Sequence, residues 1–395
     1  MRAIAYRQIE GRSSGYWGLL AALGALLAAG LGSAWYMEHH GHIVTGMDNQ
    51  IVWGLPHVFA VFLIVAASGA LNVASIASVF GKGPYKPMAR LSALLAIALL
   101  AGGLMVLVLD LGRADRLIVA MTYYNFKSIF AWNVFLYTGF FVIVAAYLWT
   151  MMDRMVQGYG KGVGMLAFLW RLALTTGTGS IFGFLVARQL FDTALLAPMF
   201  VINSFSYGLA VFLLVLLAAY RGSGREIDDA VVARLKNLLA VFAAAVLYFL
   251  VVFHLTNLYF AKRSAAEAFI LLDGGIHTFM LWVGQVLVGN VIPLVLLLHP
   301  ALSKSRRNVA LAAGLIVIGG LAQMWVTIIG GQAFPLVMFP GMQESSSFHD
   351  GVVHPYAPSA PELFLGLSGG ALALAMVALA VKFLGILPQK LEAAD

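Results

Sequence analysis

Residues 53–80 read WGLPHVFAVFLIVAASGALNVASIASVF and contain no Asp, Glu, Lys or Arg. A helix needs about 20 predominantly apolar residues to cross a bilayer, so this stretch predicts a membrane-spanning helix over 55–80. Nine further stretches are long and apolar enough to do the same. The ten predicted spans are 17–36, 55–80, 91–111, 128–152, 165–190, 199–220, 237–260, 276–299, 309–331 and 363–384. The sequence therefore predicts an all-α polytopic membrane protein.

The composition of the whole protein agrees with this fold class and excludes several others. Of the 395 residues, 62% are hydrophobic and 10% are charged, and the mean hydropathy is +0.91. Soluble domains carry about 25% charged residues, so the protein is not expected to be a soluble enzyme, a disordered protein or a nucleic-acid-binding protein. Cysteine is absent, which excludes a disulfide, a thiolate-ligated iron–sulfur cluster, a c-type haem and a cysteine zinc site in this chain.

The basic residues predict the orientation of the chain in the membrane. With the N-terminus inside, 17 of the 24 Lys and Arg residues fall in inner segments and five in outer segments, while Arg171 and Arg188 fall within a span. Because cytoplasmic loops carry an excess of Lys and Arg, we expect both termini to be cytoplasmic and the number of spans to be even. The expected location is the bacterial plasma membrane, with 1–395 forming one integral membrane domain in the lipid bilayer.

The longest predicted connection is the outer loop 332–362. It contains no Lys or Arg and five prolines, which are Pro335, Pro340, Pro355, Pro358 and Pro361. Connections of this length in a compact protein are usually functional. Together with 37–50 and 191–198, which also lack Lys and Arg, this loop is a candidate docking surface for another protein.

Polar side chains gather toward the predicted outer ends of the spans. A charge at the centre of a bilayer costs about 2.5–3.5 kcal/mol on insertion scales, so residues of this kind point to function. We predict that Asp110, Arg113 and His57 carry the chemistry. Depth in the membrane adds four candidates, Tyr123, Tyr124, Asn133 and Arg188. Structural roles remain open, because Asp110 and Arg113 can form a helix-capping ion pair and His57 can be a core histidine.

Small polar residues also follow one face of the second span. At 100° per residue, His57, Ser68, Asn72 and Ser75 fall within about 60° of one another. Arg171, Thr175 and Thr178 share a face of the fifth span in the same way. These two sets predict a proton path from the inner side toward the outer site, although the same residue types also serve as contacts between packed helices.

Further histidines suggest two other kinds of site. His254 and His277 lie at matching predicted depth, as the axial ligands of a b-type haem would. Haem-binding bundles usually carry repeated histidine pairs, so a single pair argues against a haem. His39, His40 and His42 follow Glu38 closely and precede Asp48 in an outer loop. Two interpretations of this segment stay open, which are a metal site and, more simply, a solvated loop.

Several segments resemble the NrfD/PsrC family of quinone-interacting membrane subunits. The segments are GLMVLVLDLGRADR (103–116), SIFAWNVF (128–135), WGLPHVFAVFLIVAASGA (53–70), TALLAPMFVINSFSYGLA (193–210), HTFMLWVGQVLVGNVIPLVLL (277–297) and HPYAPSAPELFLGLSG (354–369). In having ten predicted spans, the protein resembles the longer branch of this family. Within that branch it is most similar to the DsrP-type subunit of the sulfite-reductase-associated transmembrane complex. One departure is the segment LTTGTGS (174–180), where some relatives carry a histidine.

The resemblance implies a fold and a function. The fold is two four-helix bundles, helices 2–5 (55–190) and helices 6–9 (199–331), flanked by helices 1 and 10. The function is binding of quinone or quinol (menaquinone or ubiquinone) near the outer face, at Asp110 and Arg113 and, less directly, at His57. The implied partner is an extracytoplasmic iron–sulfur (ferredoxin-like) subunit, with a multihaem cytochrome and further membrane subunits as additional candidates.

The residues themselves suit such chemistry. Quinol oxidation releases two electrons and two protons, and a partly buried Asp or His side chain can accept a proton. No haem or iron–sulfur ligand set is expected in this protein, so electrons would pass to another subunit of an oxidoreductase complex. Two other classes of function stay open. Ten spans, a polar stripe and Gly-interrupted helices also fit a secondary transporter or ion channel, and an anchor without a quinone site would hold partners only.

Overall fold

The computed structural model describes residues 4–336, 339, 341–342 and 351–392. Within them, ten helices are long and apolar enough to cross a membrane. They are α1 (Ser14–His40), α2 (Leu55–Ser78), α3 (Gly83–Leu109), α4 (Ile129–Met152), α5 (Gln157–Gly183), α6 (Leu196–Ser223), α7 (Asp229–Tyr259), α8 (Ile276–Leu298), α9 (Arg306–Ala333) and α10 (Ala360–Phe383). The predicted number and order of the spans are confirmed.

The predicted end of the fifth span is wrong. The fifth span was expected to continue to residue 190, but α5 ends at Gly183 and residues 184–195 form turns. Arg188 therefore lies in the connection to α6 and not within a span. The segment is apolar enough to extend the hydropathy signal, yet the backbone turns here because Arg188 bonds to backbone carbonyls of other segments.

The helices pack as two groups of four with two helices at the side. In the first group α2 contacts α3, α3 contacts α4, α4 contacts α5, and α5 returns to α2. In the second group α6, α7, α8 and α9 contact one another in the same cyclic manner. The groups meet where α2 contacts α6 and α9, while α1 packs on α10 and α10 on α2 and α3. These contacts are those expected of two bundles, whose boundaries at 55–190 and 199–331 stay a prediction.

Helix α2 lies at the centre, and its contact with α6 depends on glycine. A Cβ atom built on Gly69 would lie 1.6 Å from the carbonyl oxygen of Ser204, and one built on Gly208 would lie 2.1 Å from the backbone nitrogen of Ala70. Small residues at such crossings allow two backbones to approach closely in a membrane. The two bundles can therefore share a buried boundary at this level.

Helix α2 is interrupted at Leu71, between Leu55–Ala70 and Asn72–Ser78. The hydroxyl of Ser92 on α3 donates to the carbonyl of Ala70 at 2.6 Å and accepts from the amide of Ala74 at 3.0 Å. A side chain inserted between a carbonyl and the amide four residues later is an established cause of helix kinks. The interruption divides the predicted polar stripe of α2.

The N-terminal and C-terminal segments meet at one end of the molecule. Strand β1 (Tyr6–Arg7) pairs antiparallel with β2 (Leu387–Pro388). The guanidinium of Arg90 donates to the carbonyls of Gly385 and Met151 and lies 3.7 Å from the ring centroid of Tyr6. The opposite end, where α2 begins and α3 ends, is called the Asp110 end below.

The loop between α9 and α10 closes over the Asp110 end. The predicted loop 332–362 begins and ends inside these helices, because α9 reaches Ala333 and α10 begins at Ala360. Pro340 and the other residues at 337–338 and 343–350 lie outside the described residues. The described part packs inward, since the backbone amide of His354 donates to the carbonyl of Ala333 at 3.2 Å.

Candidate functional site

A buried histidine–carboxylate pair occupies the Asp110 end of the first bundle. His57 lies in the first turn of α2, and Asp110 follows the last residue of α3. The Nδ1 atom of His57 is 2.6 Å from the Oδ2 atom of Asp110, and their side chains are 15% and 0% exposed. Neither Asp110 oxygen has a hydrogen bond of acceptable geometry to the described residues. A buried carboxylate without such partners is costly, so this pair is a strong candidate for a binding site.

Two side chains border the pair. The Nε2 atom of His42 lies 3.1 Å from the backbone oxygen of Asp110, which places the short 42–44 helix over the end of α3. The ring of Trp53 stacks on His57 with centroids 6.0 Å apart, and Trp53 also contacts Phe130, Phe182 and Phe191. His57 therefore lies between a carboxylate and an aromatic wall.

The backbone of Trp53 is held by Gln332 at the end of α9. The side-chain oxygen of Gln332 accepts from the amides of Val52 and Trp53 at 3.0 and 3.1 Å, and its nitrogen donates to the Trp53 carbonyl at 3.0 Å. The guanidinium of Arg188 donates to the carbonyls of Gln50 and Gln332, each at 2.7 Å. Burial lowers the pKa of Arg188, and the nearby Asp48 carboxylate acts in the opposite direction. Arg188 thus ties the segment before α2 to α9.

A second buried carboxylate supports the start of α2. Glu362 accepts from the Tyr356 hydroxyl at 2.5 Å and from the amides of Gly46 and Ser359 at 2.8 and 2.7 Å. The amide of Leu55 donates to the Tyr356 oxygen at 2.7 Å. Burial raises the pKa of the Tyr356 hydroxyl above its ordinary value, and the carboxylates of Glu362 and Asp110 act in the same direction. Tyr356 therefore stays protonated and can donate to Glu362.

Three predicted site residues lie apart from this pair. Arg113 was expected next to Asp110, but its guanidinium donates to Asp115 at 2.9 and 3.0 Å in an exposed ion pair. The helix-capping Asp110–Arg113 ion pair, which the sequence left open as a structural alternative, does not form, because Asp110 turns inward while Arg113 follows the turn after α3. Tyr123 is 82% exposed, and the ring of Tyr124 contacts that of Phe135 in a tilted arrangement with centroids 4.3 Å apart. A role for Arg113, Tyr123 and Tyr124 in ligand binding stays a prediction.

Part of the predicted proton path forms a connected cluster deeper in the first bundle. The hydroxyl of Thr175 donates to the hydroxyl of Ser68 at 2.6 Å, and Ser68 donates to the carbonyl of Arg171 at 3.1 Å. The buried guanidinium of Arg171 donates back to the Ser68 carbonyl at 3.2 Å, and its Nε has no partner among the described residues. The structure thus brings together the sequence-predicted residues of α2 and α5 at one level.

The other members of that path are placed differently. The hydroxyl of Thr178 lies 3.5 Å from the side-chain oxygen of Asn133. Asn133, which was predicted for the ligand site and not for the path, donates to the carbonyls of Ile129 and Gly177. Asn72 donates to the carbonyl of Phe205 at 3.4 Å. Ser75 lies beyond the interruption of α2, and its buried hydroxyl has no hydrogen-bond partner in the described part of the protein. A proton path through all of these residues stays a prediction.

The remaining histidines engage separate partners. The ring Nδ1 of His254 contacts the Glu267 carboxylate, and that of His277 accepts from the indole of Trp325 at 3.2 Å. His39 and His40 bond to backbone carbonyls of α1. In the part of the sequence that the structure describes, no three His, Asp or Glu side chains gather as metal ligands.

Sequence reasoning missed three residues that shape these sites. Gln332 and Glu267 were not singled out, and Glu362 was noted only within a segment that resembles the family. Glu267 lies on the short helix Ala261–Ala268, whose buried face also holds Ala266. A single acidic residue among small apolar ones is a detectable signal, but its buried partner is 13 positions away and only the fold reveals it.

Known proteins similar to this one are membrane subunits of redox complexes. Residues 43–336 match the family model described as Polysulphide reductase, NrfD. The Hdr-like menaquinol oxidoreductase integral membrane subunit of Archaeoglobus fulgidus is 29% identical over 389 residues, 98% of each protein. The menaquinone reductase integral membrane subunit of Nitratidesulfovibrio vulgaris is 23% identical over 95% of this protein and 90% of its own length. Protein NrfD of Escherichia coli is 22% identical over 72% and 96%.

Proposed function

Because this protein belongs to the polysulphide reductase NrfD family, and is thus an integral membrane subunit of a redox complex, we propose that it binds quinone or quinol at His57 and Asp110. The observation that carries this proposal is the buried His57–Asp110 pair, whose carboxylate oxygens have no hydrogen bond of acceptable geometry to the described residues. Relatives named menaquinol oxidoreductase and menaquinone reductase subunits support the ligand class. The finer assignment to a DsrP-type subunit stays a prediction.

The residues around the pair fit a quinone headgroup and its entry from lipid. A headgroup needs hydrogen-bonding groups for its oxygens and flat apolar surface for its ring. His57 offers the first, and Trp53, stacked against it, offers the second. Phe130 contacts Trp53 and is 46% exposed on α4, so this aromatic wall extends from His57 to the surface that faces lipid.

The pair is arranged for proton transfer. A bound quinol supplies two electrons and two protons. His57 accepts one of the two protons at Nε2, because its Nδ1 faces Asp110, and the other proton leaves to solvent at the Asp110 end. The Asp110 carboxylate orients the ring and stabilises the imidazolium that forms, as a carboxylate does for catalytic histidines generally. Gln332 and Arg188 hold Trp53 in place beside the ring, so the binding surface is set before the ligand arrives.

The cluster of Ser68, Thr175 and Arg171 lies deeper in the first bundle and would control proton movement along α2. Its hydroxyls form a short series of hydrogen bonds between α2 and α5. The buried Arg171 charge repels an excess proton, so the cluster acts as an electrostatic barrier that limits proton movement along α2. Proton movement coupled to quinol oxidation would then depend on Arg171.

Electrons leave this protein through another subunit. The sequence has no cysteine and so provides no thiolate ligand for a redox centre. We infer that an iron–sulfur subunit docks at the Asp110 end, which the distribution of basic residues predicts to lie outside the cytoplasm. The short helix 42–44 and the described part of the loop before α10 cover this end and would form the docking surface, with a multihaem cytochrome and other membrane subunits as additional partners.

Quinol oxidation by the complex purified through this subunit tests the proposal. Asp110→Asn should lower turnover about 10²–10⁴-fold, the usual contribution of a positioned acid–base group, because His57 loses the carboxylate that stabilises its protonated form. Asp273→Asn is the matched control, because Asp273 is an exposed carboxylate just before α8 and should leave turnover unchanged. Unchanged turnover of an intact Asp110→Asn complex would support an anchor, and solute uptake into liposomes without quinone binding would support a transporter.

A further inference from the structure

The second bundle contains its own buried polar cavity, distinct from the site of His57 and Asp110. The cavity has a volume of about 30 Å³. Its polar lining residues are His254 on α7, Glu267 on the short helix before α8, Gln285 on α8, and Gln323 and Thr327 on α9. A space of this size holds about one or two water molecules.

The cavity wall carries polar atoms that the described residues leave unpaired. His254 Nε2, Gln285 Oε1 and Gln323 Nε2 are buried without a hydrogen-bond partner. Asn257, which donates to Glu267 at 3.1 Å, has an unpaired Oδ1 as well. Buried polar groups are almost always paired with protein or ordered water. Three unpaired polar atoms on residues that line a cavity of this size therefore favour bound water there.

The backbone around the cavity is also unusual. In the described part of the protein, π-helical turns occur at Phe269–Asp273, Met280–Val291 and Val326–Gly330. Each of these three segments contributes lining residues, namely Ile270, Gln285, and Val326 with Thr327. Insertions of this type are found mostly at functional sites. Their coincidence here, on three separate segments, does not follow from helix packing alone.

We propose that this cavity is a hydrated proton-holding site, in which His254 and Glu267 share one proton and bound water connects them to Gln285 and Gln323. The proton moves between His254 Nδ1 and a Glu267 carboxylate oxygen, which are in direct contact, and no electron is transferred. This inference does not rest on quinone binding at His57, since every residue in it belongs to the second bundle or to the helix before α8.

Other charged groups near the cavity do not compete with His254 and Glu267 for this proton. His254 and Glu267 are the titratable residues among the described residues that line it, and no Lys or Arg lines it. Arg263 and Lys262, on the same short helix as Glu267, pair with Asp192. Asp273 is exposed, and His277 accepts from Trp325. Of the described residues, only the His254–Glu267 pair therefore binds or releases a proton inside the cavity.

Infrared difference spectroscopy of the full-length protein in lipid nanodiscs, titrated in H₂O and D₂O, tests this site. We expect a carboxyl signal that shifts on deuteration, is lost in Glu267→Gln and persists in Asp110→Asn. Persistence of every carboxyl signal in Glu267→Gln would overturn the shared proton. Because the readout is spectroscopic, loss of quinol turnover in Asp110→Asn leaves it unaffected, so failure of one proposal is distinguishable from failure of the other.

The Gln285→Met variant tests whether the cavity contains bound water. If the cavity is hydrated, this nearly isosteric change removes an acceptor from a bonded network and lowers the melting temperature of the protein. If the cavity is dry, the change removes an unpaired polar atom and raises the melting temperature, which would overturn the proposal. Asn203→Leu is the matched control, because both polar atoms of Asn203 are buried without partners among the described residues and lie outside the cavity lining.

Discussion

The hydroxyl of Tyr356 lies 2.5 Å from the buried carboxylate of Glu362, and so joins the start of α10 to the first residue of α2. Through Leu55, this contact fixes the turn of α2 that carries His57. Glu362 in turn holds Gly46 in the segment before α2. The position of the candidate site therefore depends on residues about 300 positions away in the sequence.

Tyr356→Phe should lower the free energy of unfolding by about 1–3 kcal/mol, because a buried carboxylate and a backbone amide each lose a partner. Thermal unfolding of the purified protein measures the change. Tyr123→Phe is the control, since that side chain is 82% exposed and should have almost no effect. Equal melting temperatures for the two variants would contradict the supporting role of Tyr356.

Because the two bundles are in close contact at Gly69, we expect one added methyl group there to destabilise the protein. Gly69→Ala places a Cβ atom against the Ser204 carbonyl, and overpacking of this kind costs about 1–3 kcal/mol or more. Gly32→Ala meets nothing within 4 Å on α1 and should be neutral or slightly stabilising. Yields and melting temperatures of the two variants, measured side by side, decide this, and a stable Gly69→Ala protein would contradict the close crossing.

Stability at low pH should depend on Asp48. Partial burial acts to raise the pKa of Asp48, but hydrogen bonds from Ile51, His354 and Gln50 outweigh it and hold the pKa below the ordinary value of 3.8. A lowered pKa contributes stability above the unfolded value, and that stability is lost as the pH falls through the folded value. The melting-temperature advantage over Asp48→Asn should therefore be full near about pH 5–6 and shrink below about pH 4. A constant difference over this range would be the contrary result.

The sequence predicts the spans well because each needs only a long apolar run, which is a local property. It fails at 184–190, where an apolar segment turns because Arg188 reaches the carbonyls of Gln50 and Gln332. The sequence also offers Arg113 as a structural partner for Asp110, and the structure provides a different one. Arg113 is near in sequence, but His57, on another helix, is the group that the fold brings to 2.6 Å.

The candidate site is predictable in its depth but not in its partners. Asp110, His57 and Asn133 are recognisable as polar groups in apolar runs, and the cluster of Ser68, Thr175 and Arg171 follows from helical spacing. The sequence does not mark Gln332 and Glu267 as site residues, because each lies at the end of a span or between spans, where polar residues are common. Their importance comes from burial, which only the packing of distant helices creates.

Photoaffinity labelling with an azido-quinone analogue, followed by peptide mapping, tests the central claim most directly. We predict labelling of the peptides that carry Trp53, His57 and Phe130, at least tenfold weaker labelling in Asp110→Asn, and unchanged labelling in Asp273→Asn. Competition by unlabelled menaquinone should abolish the signal. Labelling confined to the second bundle, or labelling of His57 peptides that Asp110→Asn leaves unchanged, would contradict the account.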